Sequence, residues 1–363
     1  MPSRQRHDRD EPTRIERLCC TGLPGFDGHE QVVACRDPES GLRAFVAIHS
    51  TTLGPALGGC RMWPYASEAE ALIDALRLAR GMSYKHAVAG TGQGGGKAVI
   101  VGDPRCDKSE ALFLTFGRFV AQLQGTYITA EDVGTTVDDM VVVHRTTRHV
   151  AGLPVEQGGS GDPSPITAWG VFCGIQAALR FQRGRDELQG IGVAVQGVGH
   201  VGYHLCKYLH AAGADLAAAD PDEPAVARVR DEFGARVVPP DAVYDVQADV
   251  FAPCALGGAL ARESVPRLRA SIVAGAANNQ LAAPTVARLL AQRGILYAPD
   301  YVINAGGIIN ISYESRGYDE AKARQHTARI ADTLTHIFEQ AQGEGTTTAD
   351  VADRVAQHAL KPA

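Results

Sequence analysis

The chain has 363 residues, 45% of them hydrophobic and 21% charged, with a net charge of −6 at pH 7. That length exceeds one ordinary core and favours two globular domains. The mild acidity gives no basic footprint for nucleic acid or an anionic membrane, and no apolar run reaches the roughly 18 residues of a membrane span.

In chain order, residues 1–17 are rich in charge and hold a proline but no apolar core. They read as a disordered tail rather than a secretory signal, and a cytoplasmic location is the expectation. The runs EQVVACR (30–36) and LRAFVAI (42–48) flank the turn signal DPESG and predict a hairpin. From Ser67, with Glu70 three residues on as a capping box, the spacing of Leu72, Leu76, Ala79 and Met82 predicts a helix ending near Lys85. GTGQGGGKAVI (90–100) reads as a glycine loop running into a strand. It fails as a phosphate loop. Thr91 stands where the first glycine belongs, Ala98 follows Lys97 in place of Ser or Thr, and the loop precedes its strand. A helix over 108–124 and the stretch YITAEDVGTT complete an α/β unit reaching about residue 150.

GGSGDPSP (158–165) is a breaker cluster and predicts a domain crossing. A helix over about 167–181 follows, then a strand at 191–196 running into Gly197, Val198, Gly199, His200, Val201 and Gly202. Strand, glycine turn, helix and a second strand ending on Asp220 form the context a dinucleotide fingerprint requires. Gly197 allows the tight turn, Gly199 lets backbone approach a pyrophosphate, and Gly202 lets helix and strand pack. The helix N-terminus faces the phosphates and Asp220 faces the adenosine ribose hydroxyls. Asp222 and Glu223 beside it repel a 2′-phosphate, so NAD is expected over NADP.

His200 and His204 lie four apart on that phosphate-facing helix, and no metal site is expected. Eight cysteines without a C-x-x-C pair read as reduced thiols, most of them buried. Beyond Asp220, strands alternate with helices through ADVFAPC, ASIVAGA and ILYAPD, and two amphipathic helices (319–342 and 348–360) close the chain. The predicted fold is α/β with two domains separated by a cleft. Residues 18–150 form an N-terminal α/β domain for substrate, catalysis and oligomerisation, and 151–334 a Rossmann dinucleotide-binding domain. Helices over about 335–363 are expected to pack back on the first.

Outside the nucleotide motif the polar candidates are Lys85, Lys97, Asp132, Asn278 and Asn279. Taken singly, each also suits a plain role: a helix-end cation, a turn lysine, a turn acid, an asparagine turn. In order along the chain, LGPALGGCRMW, ARGMSYKHAVAG, GGGKAVIVGDP, YITAEDVGTTVDDM, GDPSPITAWGV, APCALGGAL, AGAANNQLA and YAPDYVINAGGIIN resemble the Glu/Leu/Phe/Val amino-acid dehydrogenase superfamily. The likeness runs from about residue 28 to 355 and is nearest in pattern to leucine and valine dehydrogenases.

The resemblance implies an enzyme: an NAD-dependent L-amino-acid dehydrogenase converting a branched-chain L-amino acid reversibly to its 2-oxo acid, ammonia and NADH. It implies that Lys97 activates the attacking water, that Asp132 exchanges protons with the amino group, and that Lys85 binds the substrate carboxylate. Gly59 would approach that carboxylate through its backbone, and Asn279 would hydrogen-bond the substrate. Leu57, Met82, Ala130, Ile308 and Ile311 would surround the side chain. Thr167 and Asn278 would lie near the nicotinamide. The family's habit also implies a homo-oligomer, dimer or octamer, with small-molecule partners and neither nucleic acid nor membrane. Gln93, Cys60 and His86 depart from the family pattern, Gln93 beside the expected pocket. An aromatic (phenylalanine or tryptophan) dehydrogenase is the alternative, and a non-catalytic NAD-binding sensor on the same fold is the other class.

Overall fold

Runs rich in valine, alanine and isoleucine lay down the first sheet, as their β-branched and small side chains suit a surface buried on both sides. In a computed structural model describing residues 15–361, with the side chain of residue 316 left aside, the elements begin with β1 (Ile15–Arg17), β2 (Gln31–Asp37), β3 (Leu42–Ser50) and β4 (Ala56–Trp63). Then come α1 (Glu68–Ala89), β5 (Gly94–Val101), α2 (Glu110–Gln122), β6 (Tyr127–Glu131) and α3 (Val137–His144). The strand order is β1-β2-β3-β5-β4-β6, antiparallel from β1 through β5 and parallel where β4 meets β5 and β6. One face buries Phe116 and Phe119 of α2 and Met140 of α3 against Val46, Ile100 and Met62. The other buries Ala75, Leu76 and Ala79 of α1 against Phe45 and Val99.

The second sheet follows α4 (Ser164–Arg183) and comprises β7 (Gly192–Gln196), β8 (Asp215–Ala219), β9 (Arg236–Val237), β10 (Val250–Pro253), β11 (Ile272–Val273) and β12 (Leu296–Tyr297). Its order β12-β11-β10-β7-β8-β9 is parallel throughout, the arrangement of a dinucleotide-binding fold. Helices α5 (His200–Ala211), α6 (Glu223–Phe233) and α7 (Thr285–Gln292) connect its strands. Then follow α8 (Asp300–Ile303), α9 (Gly306–Ser312), α10 (Glu320–Ala328), α11 (Ile330–Glu344) and α12 (Thr348–Ala359).

The chain divides into two units. The first runs to Ser83 and resumes over Gly92–Gly159; the second takes Tyr84–Thr91 and Ser160–Lys361. Several expectations change accordingly. Residues 15–17 of the expected tail pair with Val33, Ala34 and Cys35 as an edge strand, while 1–14 lie outside the described residues. The boundary expected at 150 falls at 159, because Thr129 still pairs with Val150 and Ala151 and so holds that segment to the first sheet. The helix expected over 319–342 is two, parted at Arg329.

The C-terminal helices group with the second unit, not the first. The Gln357 amide of α12 donates to the Tyr84 hydroxyl at 3.0 Å, and Leu334 of α11 lies against Gly174 of α4. Lys85 falls a turn short of the end of α1, which continues to Ala89. All eight cysteines are free; Cys19 and Cys106 are exposed, Cys254 is half-buried, and the rest are buried. No helix among the described residues is long and apolar enough to cross a membrane.

Candidate functional site

The supposed glycine loop is strand: Gly94, Gly95 and Gly96 open β5 and are buried. Glycine is a poor strand former, but contact distance overrides propensity here. A Cβ on Gly95 would sit 2.0 Å from the backbone nitrogen of Ser83 on α1, and one on Gly58 would sit 1.7 Å from the Gly96 carbonyl oxygen. The seam brings α1 down onto the sheet. By strand alternation Lys97 shares the face of Gly95.

Lys97, 5% exposed, sets its Nζ 2.9 Å from Oδ2 of Asp132, the residue that follows β6. Arg61 on β4 reaches the same oxygen through Nε at 3.1 Å, and its Nη1 meets Asp74 at 3.0 Å. The Tyr65 hydroxyl donates to Asp74 at 2.7 Å. Both cations share Oδ2 of Asp132, and Oδ1 has no partner among the described residues. The Asp132 backbone N–H donates to Thr135, whose hydroxyl donates in turn to the Cys60 carbonyl, fixing the turn to β4. Sequence reasoning missed Arg61, Asp74 and Tyr65. The one available signal was an arginine inside a run otherwise fit for burial, since a charge there needs partners.

Burial pushes the Asp132 carboxyl up, but the charges of Lys97 and Arg61 outweigh it and hold the group below its ordinary value. The sign follows. Stability from the depressed carboxyl is fully present above its unfolded value of about 4 and is lost as pH falls through the lower folded value. Denaturant titrations between about pH 4 and 2.5 should therefore show a larger stability loss for the native chain than for Asp132→Asn; equal losses would contradict the depressed carboxyl.

The other first-unit residues singled out from the sequence lie on the same elements. Leu57 and Gly59 are buried on β4, Ala130 is buried on β6 opposite Gly59, and Met82 on α1 packs toward Gly58. A Cβ on Gly59 would come within 2.8 Å of the Asp132 Cβ and 2.4 Å of the Glu131 carbonyl oxygen, so only glycine lets β4 and the Asp132 turn close together. Gln93 is 6% exposed, and its Oε1 has no hydrogen-bond partner among the described residues. His86, another departure from the family pattern, sets its Nδ1 2.8 Å from the Thr91 hydroxyl. Cys60 is core, and burial pushes its thiol far up.

In the second unit the glycines fit a dinucleotide. Gly197 has φ +90° and no room for a Cβ beside Ala255; a Cβ on Gly202 would strike the Gly197 carbonyl. At Gly199 a Cβ would meet nothing within 4 Å, so open space faces the start of α5, which has no side-chain cap. Free N–H groups beside a void suit a phosphate. Val198 and the flanking His200 and Val201 complete the turn. Asp220 accepts from the backbone N–H of Val198 at 2.8 Å and of Asp222 at 2.9 Å, anchoring the turn as well as ending β8.

Thr167 donates to the Pro163 carbonyl at the start of α4, and Gly306 and Gly307 let α9 close on it. Ile308 is buried and Ile311 half-buried on α9. Asn279 holds φ +50°, and its carbonyl accepts from Gly258 at 2.8 Å. Asn278 accepts from the Asn304 amide at 2.8 Å. Asp300 accepts from the Gln280 backbone at 2.9 Å. Burial raises its carboxyl, opposed by backbone N–H groups and by the charge of Lys85. Neither Asn304 nor Asp300 was singled out from the sequence.

A family model described as Glu/Leu/Phe/Val dehydrogenase, dimerisation domain, matches residues 29–149. A second, Glutamate/Leucine/Phenylalanine/Valine dehydrogenase, matches 223–360. The chain is 53% identical over 333 residues to a leucine dehydrogenase of Geobacillus stearothermophilus, spanning 92% of this chain and 91% of that protein. It is 52% identical to a valine dehydrogenase of Streptomyces virginiae, spanning 93% and 95%. Among solved structures, an L-tryptophan dehydrogenase from Nostoc punctiforme matches at TM-score 0.81 and 47% identity, over 92% of this chain and 95% of that one.

Proposed function

The chain belongs to the Glu/Leu/Phe/Val dehydrogenase family and is an amino-acid dehydrogenase, and we propose that it oxidises branched-chain L-amino acids with NAD. The reaction takes an L-amino acid, NAD⁺ and water to the 2-oxo acid, ammonia, NADH and a proton. What supports the chemical assignment most directly is the Lys97–Asp132 pair at 2.9 Å, buried at the lysine and leaving one carboxylate oxygen open.

In this reading Asp132 takes a proton from the substrate ammonium at Oδ1 while Lys97 and Arg61 hold Oδ2. NAD, when bound, would supply the hydride acceptor for the substrate Cα. Lys97 orients water for attack on the iminium carbon and its charge stabilises the developing oxygen, while Asp132 returns its proton to the nitrogen as ammonia leaves and the water's protons pass to solvent. Lys85 and the Gly59 backbone neutralise the carboxylate, and Asn279 donates to the substrate. Leu57, Met82 and Ala130 offer the side chain an aliphatic surface on the first unit.

Asp220, with Asp222 and Glu223 following, supports NAD over NADP. The next arginine along the chain, Arg228, is already engaged: it stacks 3.5 Å from the Tyr203 ring centroid and bonds Glu232 at 3.2 Å. A 2′-phosphate would meet the carboxylate of Asp220. A cytoplasmic homo-oligomer, dimer or octamer, completes the proposal.

NADH formation at alkaline pH with a panel of L-amino acids tests it. Leucine, valine and isoleucine should all turn over, within about 200-fold of one another, since one methylene in an apolar pocket discriminates no further. A folded chain that binds NADH but turns over no amino acid would refute the enzyme reading. A second reading, an aromatic substrate, draws on the unpartnered Gln93 oxygen and would be favoured if tryptophan outran leucine.

A further inference from the structure

Asn304 ends α8 and is 3% exposed. Its Nδ2 lies 3.0 Å from the Ala276 carbonyl oxygen, 3.5 Å from that of Ala277 and 2.8 Å from Oδ1 of Asn278. Backbone carbonyls can only accept, so the amide edge facing them must be the NH₂ group. The reversed rotamer would set oxygen against oxygen. An NH₂ group can only donate, so Asn278 must in turn present its oxygen inward. The Asn278 Nδ2 is thereby turned away from Asn304; the residue is exposed, and that nitrogen has no partner among the described groups. Two carbonyls thus dictate, through two amides in series, which end of Asn278 faces outward.

The arrangement carries a cost that packing does not require. Asn304 Oδ1 is buried with no hydrogen-bond partner among the described residues. A leucine of similar size would carry no such oxygen, though it would also withdraw the donor from the Ala276 and Ala277 carbonyls. Asn278 lies five residues beyond the carboxyl end of β11, on the edge of the parallel sheet where such folds take their ligands. A fixed donor there suits a carboxamide, which offers one acceptor, its carbonyl, and one donor, its NH₂.

We infer that Asn304 is a positioning residue that fixes the polarity of the Asn278 amide, so that Asn278 donates to the carbonyl of the nicotinamide carboxamide. The inference rests on the proposed cofactor site. It deepens that proposal by setting which way round the carboxamide binds.

Equilibrium binding to the full chain without amino acid tests it, with NADH followed by its fluorescence and ADP-ribose by competition. In Asn304→Leu, NADH should bind about tenfold more weakly, the worth of one fixed hydrogen bond, while ADP-ribose, which lacks the nicotinamide, keeps its affinity. In Asn304→Asp the introduced carboxylate can only accept, so Asn278 turns and presents its oxygen outward. The reduced 3-acetylpyridine analogue retains a carbonyl but has no amide N–H. It should bind within a few-fold of NADH in the native chain and fall about tenfold behind it in Asn304→Asp.

An unchanged NADH to ADP-ribose ratio in Asn304→Leu, or parallel weakening of both, would overturn the positioning role. If the native chain itself bound NADH no better than ADP-ribose, the Asn278 contact would fail instead, a distinguishable result.

Discussion

Lys97→Ala should lower kcat for deamination on the order of 10³-fold or more, while NADH affinity stays within about twofold. The size follows from two losses at once, the group that orients the attacking water and the cation beside the developing oxygen. The protein should survive the change. Removing one partner of a buried ion pair is ordinarily costly, but Arg61 still holds Oδ2 of Asp132 at 3.1 Å. Lysine truncation here therefore separates chemistry from folding. A variant retaining most of its activity would remove Lys97 from the mechanism.

Gly95→Ala should cost about 3 kcal/mol or more and lower the thermal midpoint by several degrees. The added methyl would lie 2.0 Å from the Ser83 nitrogen and 2.4 Å from its Cα, and neither backbone atom can move without lifting α1 off the sheet. Gly81→Ala on the same helix is the control. A Cβ there would meet nothing within 4 Å, so alanine should be neutral or stabilising by up to about 1 kcal/mol. Equal midpoints for the two variants would contradict the packing account.

The nucleotide fold was readable because its constraints are local. Gly202 answers to the Gly197 carbonyl and Asp220 to the Val198 N–H, both within about one βαβ unit, so spacing carried the information. The first unit was harder. β4 went unread because Gly58, Gly59 and Cys60 interrupt the apolar alternation, and the same glycines that hide the strand let its neighbours close in. Arg61 meets Asp74 across 13 residues and Asp132 across 71, a relation no periodicity encodes. The Asn304–Asn278 pair spans 26 residues and depends on the carbonyls of the two residues just before Asn278. The family motifs pointed to Lys97 and Asp132. They could not give the second cation on the shared oxygen or the His86–Thr91 bond.

The distribution of the eight thiols has a practical consequence. Burial raises Cys35, Cys206 and Cys254 to about 12 and Cys173 to about 11, so these stay protonated where an alkaline assay is run. Of the two exposed sulfurs, Cys106 is pushed up by slight desolvation and by Asp107 and Asp103, whereas hydrogen bonding to the Thr21 backbone and hydroxyl favours the thiolate of Cys19. A maleimide dye or a resin tether offered near neutral pH would meet Cys19 first. The chain thus carries its own attachment point on the segment before β2, away from Lys97 in sequence, for immobilisation without mutagenesis.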